Sequence, residues 1–100
     1  MIRHTVMFTP KHVAGSSEEK KLLEAALELQ SISTVRKFEV LRQVSSKCTH
    51  RFGLSMEFED ESAFRTYNQH PVHARFVNEH WIPEVDSWQE IDYVRYEENS

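Results

Sequence analysis

The chain has 100 residues, of which 39% are hydrophobic and 28% are charged, and its formal net charge is −4 at pH 7. This length suffices for one domain with a modest core, and the hydrophobic content excludes general disorder. The acidic balance argues against a nucleic-acid backbone as the main partner, since such binding relies on Lys and Arg. One cysteine excludes an internal disulfide framework and a cysteine-based zinc finger, and two glycines leave no room for a glycine-rich phosphate loop.

No segment has the pattern of a targeting or membrane-spanning signal. The apolar run after Arg3 and His4 stops at Pro10, which is too short for the core of a signal peptide. No stretch approaches the roughly 20 apolar residues of a membrane span. We therefore expect a cytoplasmic protein that binds neither membranes nor nucleic acid.

The first 31 residues predict a strand followed by a helix. Residues 2–9 alternate at period two, and Pro10 ends the strand because it cannot donate a ladder hydrogen bond. One face of this strand carries Ile2, His4, Val6 and Phe8. Ser16 and Glu19 have the spacing of a capping box, and the apolar residues behind them recur at helical spacing, which predicts a helix over residues 17–31.

The middle of the chain predicts an antiparallel hairpin. Residues 35–44 form its first strand, and residues 50–59 form its second, which has the cleanest alternation of the sequence. In the first strand, Phe38, Val40 and Val44 share a face. One face of the second strand carries Phe52, Leu54, Met56 and Phe58.

The last third predicts a broken helix and a final strand. Asp60 can cap a helix that runs through Tyr67, and Pro71 interrupts it because proline fits only the first turn of a new helix. The second piece ends at Pro83, and residues 88–96 alternate as a strand. The polar tail, residues 97–100, is expected to fray, so the ordered core covers about residues 1–96 of a single domain that spans residues 1–100.

The order β-α-β-β-α-β predicts an α+β, ferredoxin-like protomer with a four-stranded antiparallel sheet and both helices on one face. The uncovered sheet face is mixed polar and apolar, and a two-fold partner would cover it. Its predicted residues are Arg3, Thr5, Met7, Leu41, Ile91 and Tyr93. We therefore expect a homodimer through this face; a monomer with scattered apolar surface groups is the alternative.

Candidate chemistry centres on the histidines. If the helices cover the face that bears His4, then His4, Tyr67 and His73 can converge between sheet and helices. His73 would suit a general base, and the phenol of Tyr67 could stabilise an enolate or oxyanion. In the alternative, His4 is a hydrogen-bonded core histidine and Tyr67 is a core residue with its hydroxyl at the rim. His70, directly before Pro71, is better suited to a capping or hinge role.

A metal site or a nucleophilic thiol is not favoured. His70 and His73 are three residues apart, but Pro71 stands between them and no cysteine accompanies them. Cys48 lies in a polar turn without an evident base. We therefore predict neither a metal ion nor a cofactor.

Three segments resemble the stress-responsive dimeric α/β-barrel (Dabb) domains. They are residues 1–8, the hairpin segment from Phe38 to Ser45, and residues 67–73, whose sequence YNQHPVH resembles the family's Y-x-x-H-P-x-H. The third segment is the most specific, and Phe76 and Val77 follow it. The resemblance extends from Met1 to about Tyr96, nearly the whole chain.

The resemblance implies a ferredoxin-like protomer whose sheet packs against that of its mate to form a shared barrel. Many members have no assigned activity, and the main interpretation that the resemblance implies is a small, stress-responsive homodimeric protein with a small-molecule cavity. In the polyketide-cyclase branch, a His and a Tyr of the motif drive an aldol ring closure without a cofactor. Carried over by position, these are His73 and Tyr67.

Further residues are then expected to line the cavity and contact a small aromatic or carbonyl ligand: His4, Phe8, Phe76 and Val77. The charge of Arg75 could alter or obstruct an apolar pocket. Two other interpretations stay open. One is a module that holds a ligand without turning it over, and the other is a monooxygenase-like relative that shares the barrel.

Overall fold

The computed structural model describes residues 1–97 and contains the predicted order of strands and helices. The elements are β1 (Ile2–Pro10), α1 (Ser17–Ala26), β2 (Arg36–Arg42), β3 (Phe52–Phe58), α2 (Glu61–Gln69), α3 (Pro71–Phe76), α4 (Ile82–Glu84) and β4 (Val85–Tyr93). A 3₁₀ turn (Leu27–Ser31) extends α1, and a π-helical turn (Val77–Trp81) joins α3 to α4. No helix within residues 1–97 is long and apolar enough to cross a bilayer.

The four strands form one antiparallel sheet in the order β2-β3-β1-β4. β1 lies in the interior of the sheet, where Val6 pairs with Leu54 of β3 on one side and with Glu90 of β4 on the other. This order and the helices on a single face confirm the predicted ferredoxin-like, α+β architecture.

The core lies between the sheet and the helices, on the face predicted from the alternation. Phe8, Phe58 and Met56 are almost fully buried there, together with Leu22 and Leu29 of the first helical segment. β1 and β3 contribute every second side chain to it, because a strand directs successive side chains to opposite faces. The alternation of β1 and β3 therefore decides which face the helices cover.

Both predicted helix caps are confirmed. The Ser16 hydroxyl accepts from the Glu19 N–H at 3.2 Å, and the Asp60 carboxylate accepts from the Ala63 N–H at 2.8 Å. Glu19 also accepts from the N–H of Gly15, one residue before the position that a capping box uses. Each cap satisfies an N–H that the first turn of a helix leaves unpaired.

Several predicted boundaries are wrong. β2 ends at Arg42, which pairs with the first residue of β3, so Val44 lies beyond the sheet and is 89% exposed. Lys37 has a φ of 50°, within an irregularity that shifts the register of β2 between Arg36 and Glu39. The alternation in the sequence does not reveal such a bulge, because the residues on each side of the extra residue still alternate between apolar and polar.

The end of the second helical region and the final strand also differ from the prediction. The helix continues one residue past Pro83, to Glu84, after the π-helical turn. β4 begins at Val85 and ends at Tyr93, which pairs with Arg3 near the start of β1. Within β4 the predicted alternation holds, with Gln89, Ile91 and Tyr93 on the uncovered face. Of the tail predicted to fray, residues 98–100 lie outside the described residues.

Candidate functional site

A cavity of about 240 Å³ lies between the sheet and the helices. Aromatic and aliphatic side chains form most of its wall, and four polar side chains reach it. Its lining comprises His4, Val6, Leu29, Leu54, Tyr67, Asn68, His73, Phe76, Val77, Trp81, Trp88 and Glu90. Every layer of the fold contributes, so the cavity depends on the tertiary structure rather than on any one element.

Tyr67 and His73 contact each other at the wall of this cavity. Their ring centroids lie 4.5 Å apart with an interplanar angle of 56°. Tyr67 belongs to the last turn of α2 and is 3% exposed, whereas His73 belongs to the first turn of α3 and is half-buried. The break between the two helices brings these side chains together.

His70 and Pro71 make that break. The Nδ1 atom of His70 accepts from the Val72 N–H at 3.1 Å, and Pro71 occupies the first turn of α3. Proline fits this position because the first N–H groups of a helix have no partner within it. The predicted capping role of His70 is therefore confirmed, and it leaves His73 as the histidine of the motif that reaches the cavity.

Burial keeps both cavity side chains neutral near pH 7. It raises the pKa of Tyr67 far above its usual value, and the nearby charge of Glu90 adds to this effect. Burial lowers the pKa of His73 below 6.5, with a further contribution from the charge of His4, although the backbone of Asn68 opposes the shift. A neutral imidazole can accept a proton and a neutral phenol can donate a hydrogen bond, so the pair can act as base and donor.

His4 lies beside this pair on β1. It is buried among the rings of Phe64 and Tyr67, whose centroids lie 4.9 and 5.9 Å from that of His4. Its Nδ1 atom is 2.6 Å from an Asp92 carboxylate oxygen and 3.5 Å from one of Glu90. His4 is thus both a hydrogen-bonded core residue and part of the cavity wall.

The other predicted ligand contacts divide into two groups. Phe76 and Val77 line the cavity together with His4. Phe8 is 1% exposed and is not among the lining residues; its ring packs against Trp81 at a centroid distance of 4.9 Å. Arg75 is exposed and does not line the cavity, so its charge does not obstruct it.

Sequence reasoning missed two tryptophans and two carboxylates. Trp81 and Trp88 line the cavity, with ring centroids 5.9 Å apart in an edge-to-face arrangement. Glu90 and Asp92 share a strand face with Trp88, which the alternation of residues 88–96 already indicated. The missing information was the pairing of β4 with β1, which sets Asp92 directly opposite His4.

Glu84 connects the end of the helical region to the loop after β1. One of its oxygens lies 2.8 Å from His12 Nε2 and the other 2.9 Å from His80 Nδ1. Burial raises the pKa of Glu84, but the two histidine contacts outweigh it and hold the pKa below its usual value. This group lies outside the residues that line the cavity and fixes α4 in place.

Comparison with known proteins supports one family. The family described as "Stress responsive A/B Barrel Domain" (Dabb) matches residues 2–95. A solved structure from Mesorhizobium loti, described as a Dabb family protein with a ferredoxin-like fold, is 52% identical, covers 93% of this chain and 94% of its own, and has a TM-score of 0.90. No curated protein matches the chain.

Two more distant structures share the fold. A dimeric protein of unknown function from Bacteroides fragilis is 23% identical, with a TM-score of 0.71 over 92% of this chain and 93% of its own. The hydroxynitrile lyase from Passiflora edulis is 14% identical, with a TM-score of 0.81 over 99% of this chain and 96% of its own. At these identities the likeness extends to the fold alone.

Proposed function

The chain belongs to the stress-responsive A/B barrel (Dabb) family, and we propose that it is a homodimer that binds a small carbonyl or aromatic compound between sheet and helices. The observation that carries the proposal is the cavity with Tyr67 and His73 in contact at its wall. Ligand sites combine an apolar wall with a few polar groups that fix orientation, and this cavity has that composition.

The volume of the cavity limits the size of the ligand. Typical pockets for drug-sized ligands measure about 300–1,000 Å³, whereas this cavity measures about 240 Å³. A single ring or a short keto acid suits such a volume. The rings of Phe76, Trp81 and Trp88 favour a flat apolar part, and Tyr67 can donate a hydrogen bond to a carbonyl oxygen.

A second candidate function is a cofactor-independent aldol or lyase reaction in the same cavity. The lowered pKa of His73 beside a neutral phenol favours it. His73 would take a proton from the carbon next to a carbonyl group, and the Tyr67 hydroxyl would hydrogen-bond the enolate oxygen that forms. The fold shared with the Passiflora edulis hydroxynitrile lyase is compatible with this chemistry.

Ligand binding can be tested by thermal unfolding against small aromatic acids and β-keto acids. A ligand at a hundred times its dissociation constant stabilises the folded state by about 2.7 kcal/mol, which is readily seen as a shift in Tm. The shift should appear in the wild type and in Arg75→Ala, whose side chain lies outside the cavity, and should be lost in His73→Phe. A ligand that stabilises His73→Phe equally would place the binding site elsewhere.

The catalytic candidate needs a separate measurement. Proton NMR in D₂O would follow exchange of the carbon-bound hydrogen of a ligand identified in the screen. Wild-type protein should accelerate this exchange, and His73→Gln should abolish the acceleration. Binding without accelerated exchange would leave ligand binding as the function and remove the enzymatic candidate.

Homodimerisation is proposed through the uncovered sheet face. Tyr93 and Leu41 are 55% and 42% exposed on it, while Met7 and Ile91 are half-buried. Three of the similar structures are described as dimeric, which supports the same assembly here. Ile91→Arg should lower the molar mass in sedimentation equilibrium to that of one chain, whereas Gln30→Arg, an exposed change on the helical side, should not. A wild type of 11.9 kDa in solution would refute the dimer.

A further inference from the structure

Three side chains form a cluster at one edge of the cavity, and two of them also line it. Glu90 and Asp92 lie two residues apart on β4 and therefore share a face, and His4 of β1 pairs directly with Asp92. All three are fixed on paired strands in the same sheet. Their relative positions are therefore set by backbone hydrogen bonds rather than by loops.

The potential ligand atoms of this cluster point at one another. The His4 Nδ1 atom lies 2.6 Å from Asp92 Oδ1 and 3.5 Å from Glu90 Oε2, and one nitrogen and two carboxylate oxygens all lie within 4.8 Å of each other. The His4 side chain is 9% exposed, whereas those of Asp92 and Glu90 are 34% and 51% exposed. The cluster thus has a buried nitrogen and two oxygens that solvent can reach.

Two neighbouring carboxylates repel each other unless a positive charge lies close to both. Among residues 1–97, no Lys or Arg side chain forms an ion pair with either carboxylate, and His4 is the basic group within 4.0 Å of both. The described basic residues with carboxylate partners serve other sites, such as Arg3 on Glu57 across the opposite sheet face. A bound cation would neutralise the pair in the way that an Arg does elsewhere.

We propose that His4, Glu90 and Asp92 bind a divalent transition-metal ion of the Zn²⁺ or Mn²⁺ type. One imidazole and two carboxylates suit these ions, whereas Ca²⁺ and Mg²⁺ prefer oxygen ligands alone. A tetrahedral ion at about 2.1 Å from each ligand places its ligand atoms about 3.4 Å apart. The His4–Glu90 distance of 3.5 Å already matches this value, and the His4–Asp92 contact must open by only about 0.8 Å.

The ion would connect to the cavity. His4 and Glu90 both belong to the cavity lining, so an ion held by the three residues would lie beside the space where a ligand is proposed to bind, with a coordination position left over. A carbonyl or carboxylate oxygen of that ligand is a suitable fourth donor. The site itself rests only on the three side chains, and its test does not require the organic ligand.

Titration of the metal-free protein with Zn²⁺ and Mn²⁺ by calorimetry tests the site. Glu90→Gln should weaken binding of both ions more than tenfold, since the loss of a mere outer-shell partner already costs about 10–100-fold. Asp86→Asn, an exposed change on the same strand, should alter it less than twofold. Mg²⁺ and Ca²⁺ should bind at least tenfold more weakly than Zn²⁺.

The position of the ion can be read independently from the histidine rings. In imidazole NMR spectra, the signals of His4 should shift before those of the other histidines as Zn²⁺ is added. Unchanged affinity in Glu90→Gln, an earlier shift at another histidine, or no binding at millimolar Zn²⁺ would each overturn the proposal. Because Glu90 is half-exposed, its amide variant should stay folded, which circular dichroism checks.

Discussion

The two parts of Tyr67 are expected to have separate roles, and Tyr67→Phe separates them. The ring is part of the core: it is 3% exposed and its centroid lies 5.1 Å from that of Phe58 and 4.5 Å from that of His73. The hydroxyl makes no hydrogen bond with any side chain or backbone group of residues 1–97, and the residue lines the cavity. Removal of the oxygen should therefore leave the packing unchanged.

The expected changes in the free energies of unfolding and binding follow from these separate roles of the ring and the hydroxyl. Tyr67→Phe should change the free energy of unfolding by less than about 0.5 kcal/mol, as for a substitution that breaks no buried interaction. Tyr67→Ala removes the ring and should cost about 3–5 kcal/mol, as for other large aromatic residues in a core. A ligand that accepts a hydrogen bond from the phenol should lose about 0.5–1.5 kcal/mol of binding free energy in Tyr67→Phe, which is roughly a two- to tenfold weaker Kd.

Urea unfolding of the wild type and both variants, followed by circular dichroism, provides the stabilities on one scale. Equal slopes of the unfolding free energy against urea would show that the variants unfold over the same exposed surface. A loss of about 1–3 kcal/mol in Tyr67→Phe would refute the reasoning, because that is the cost of leaving a buried partner of the hydroxyl unpaired. The hydroxyl would then be structural rather than available to a ligand.

The pH dependence, a helix cap and the core provide three further expectations. Because burial holds the pKa of His73 below 6.5, its contribution to stability is complete above pH 6.5 and is lost as the pH falls through the lowered value. Urea unfolding should therefore show that the free energy of unfolding falls less for His73→Phe than for the wild type between about pH 7.5 and about pH 5. An equal fall in both proteins would contradict this. Asp60→Ala should cost about 1 kcal/mol in the same assay while Asp60→Asn, which can still cap, should not. Met56→Ala, at a position that is 0% exposed, should lower the free energy of unfolding by about 2–5 kcal/mol. Leu27→Ala, at an exposed position, should lower it by less than about 0.5 kcal/mol.

Local signals in the sequence were sufficient for the architecture. The alternation of β1 and β3, the caps at Ser16 and Asp60, and the proline break each depend on residues close together in the chain. They predicted the order of elements and the covered face of the sheet. They also placed His4, Tyr67 and His73 toward one another, as the ring distances report.

Features that depend on pairing between distant segments could not be predicted in this way. The register of β4 against β1 sets Asp92 opposite His4, and no local pattern in either strand specifies that register. Phe8 shows the same limit, since alternation predicts the face of a side chain but not whether Trp81 separates it from the cavity.

The π-helical turn between α3 and α4 makes one short segment sensitive to insertions and deletions. Val77–Trp81 holds a wider turn than an α-helix would, which in effect accommodates one additional residue. Deletion of one residue there would restore α-helical winding and rotate the rest of the helical segment, as far as Glu84, by about 100° about the helix axis. Trp81 would leave the cavity wall and Glu84 would lose its contact with His12, while the sheet stayed intact. Relatives that differ in length at this turn should therefore share the fold yet differ in the shape of the cavity.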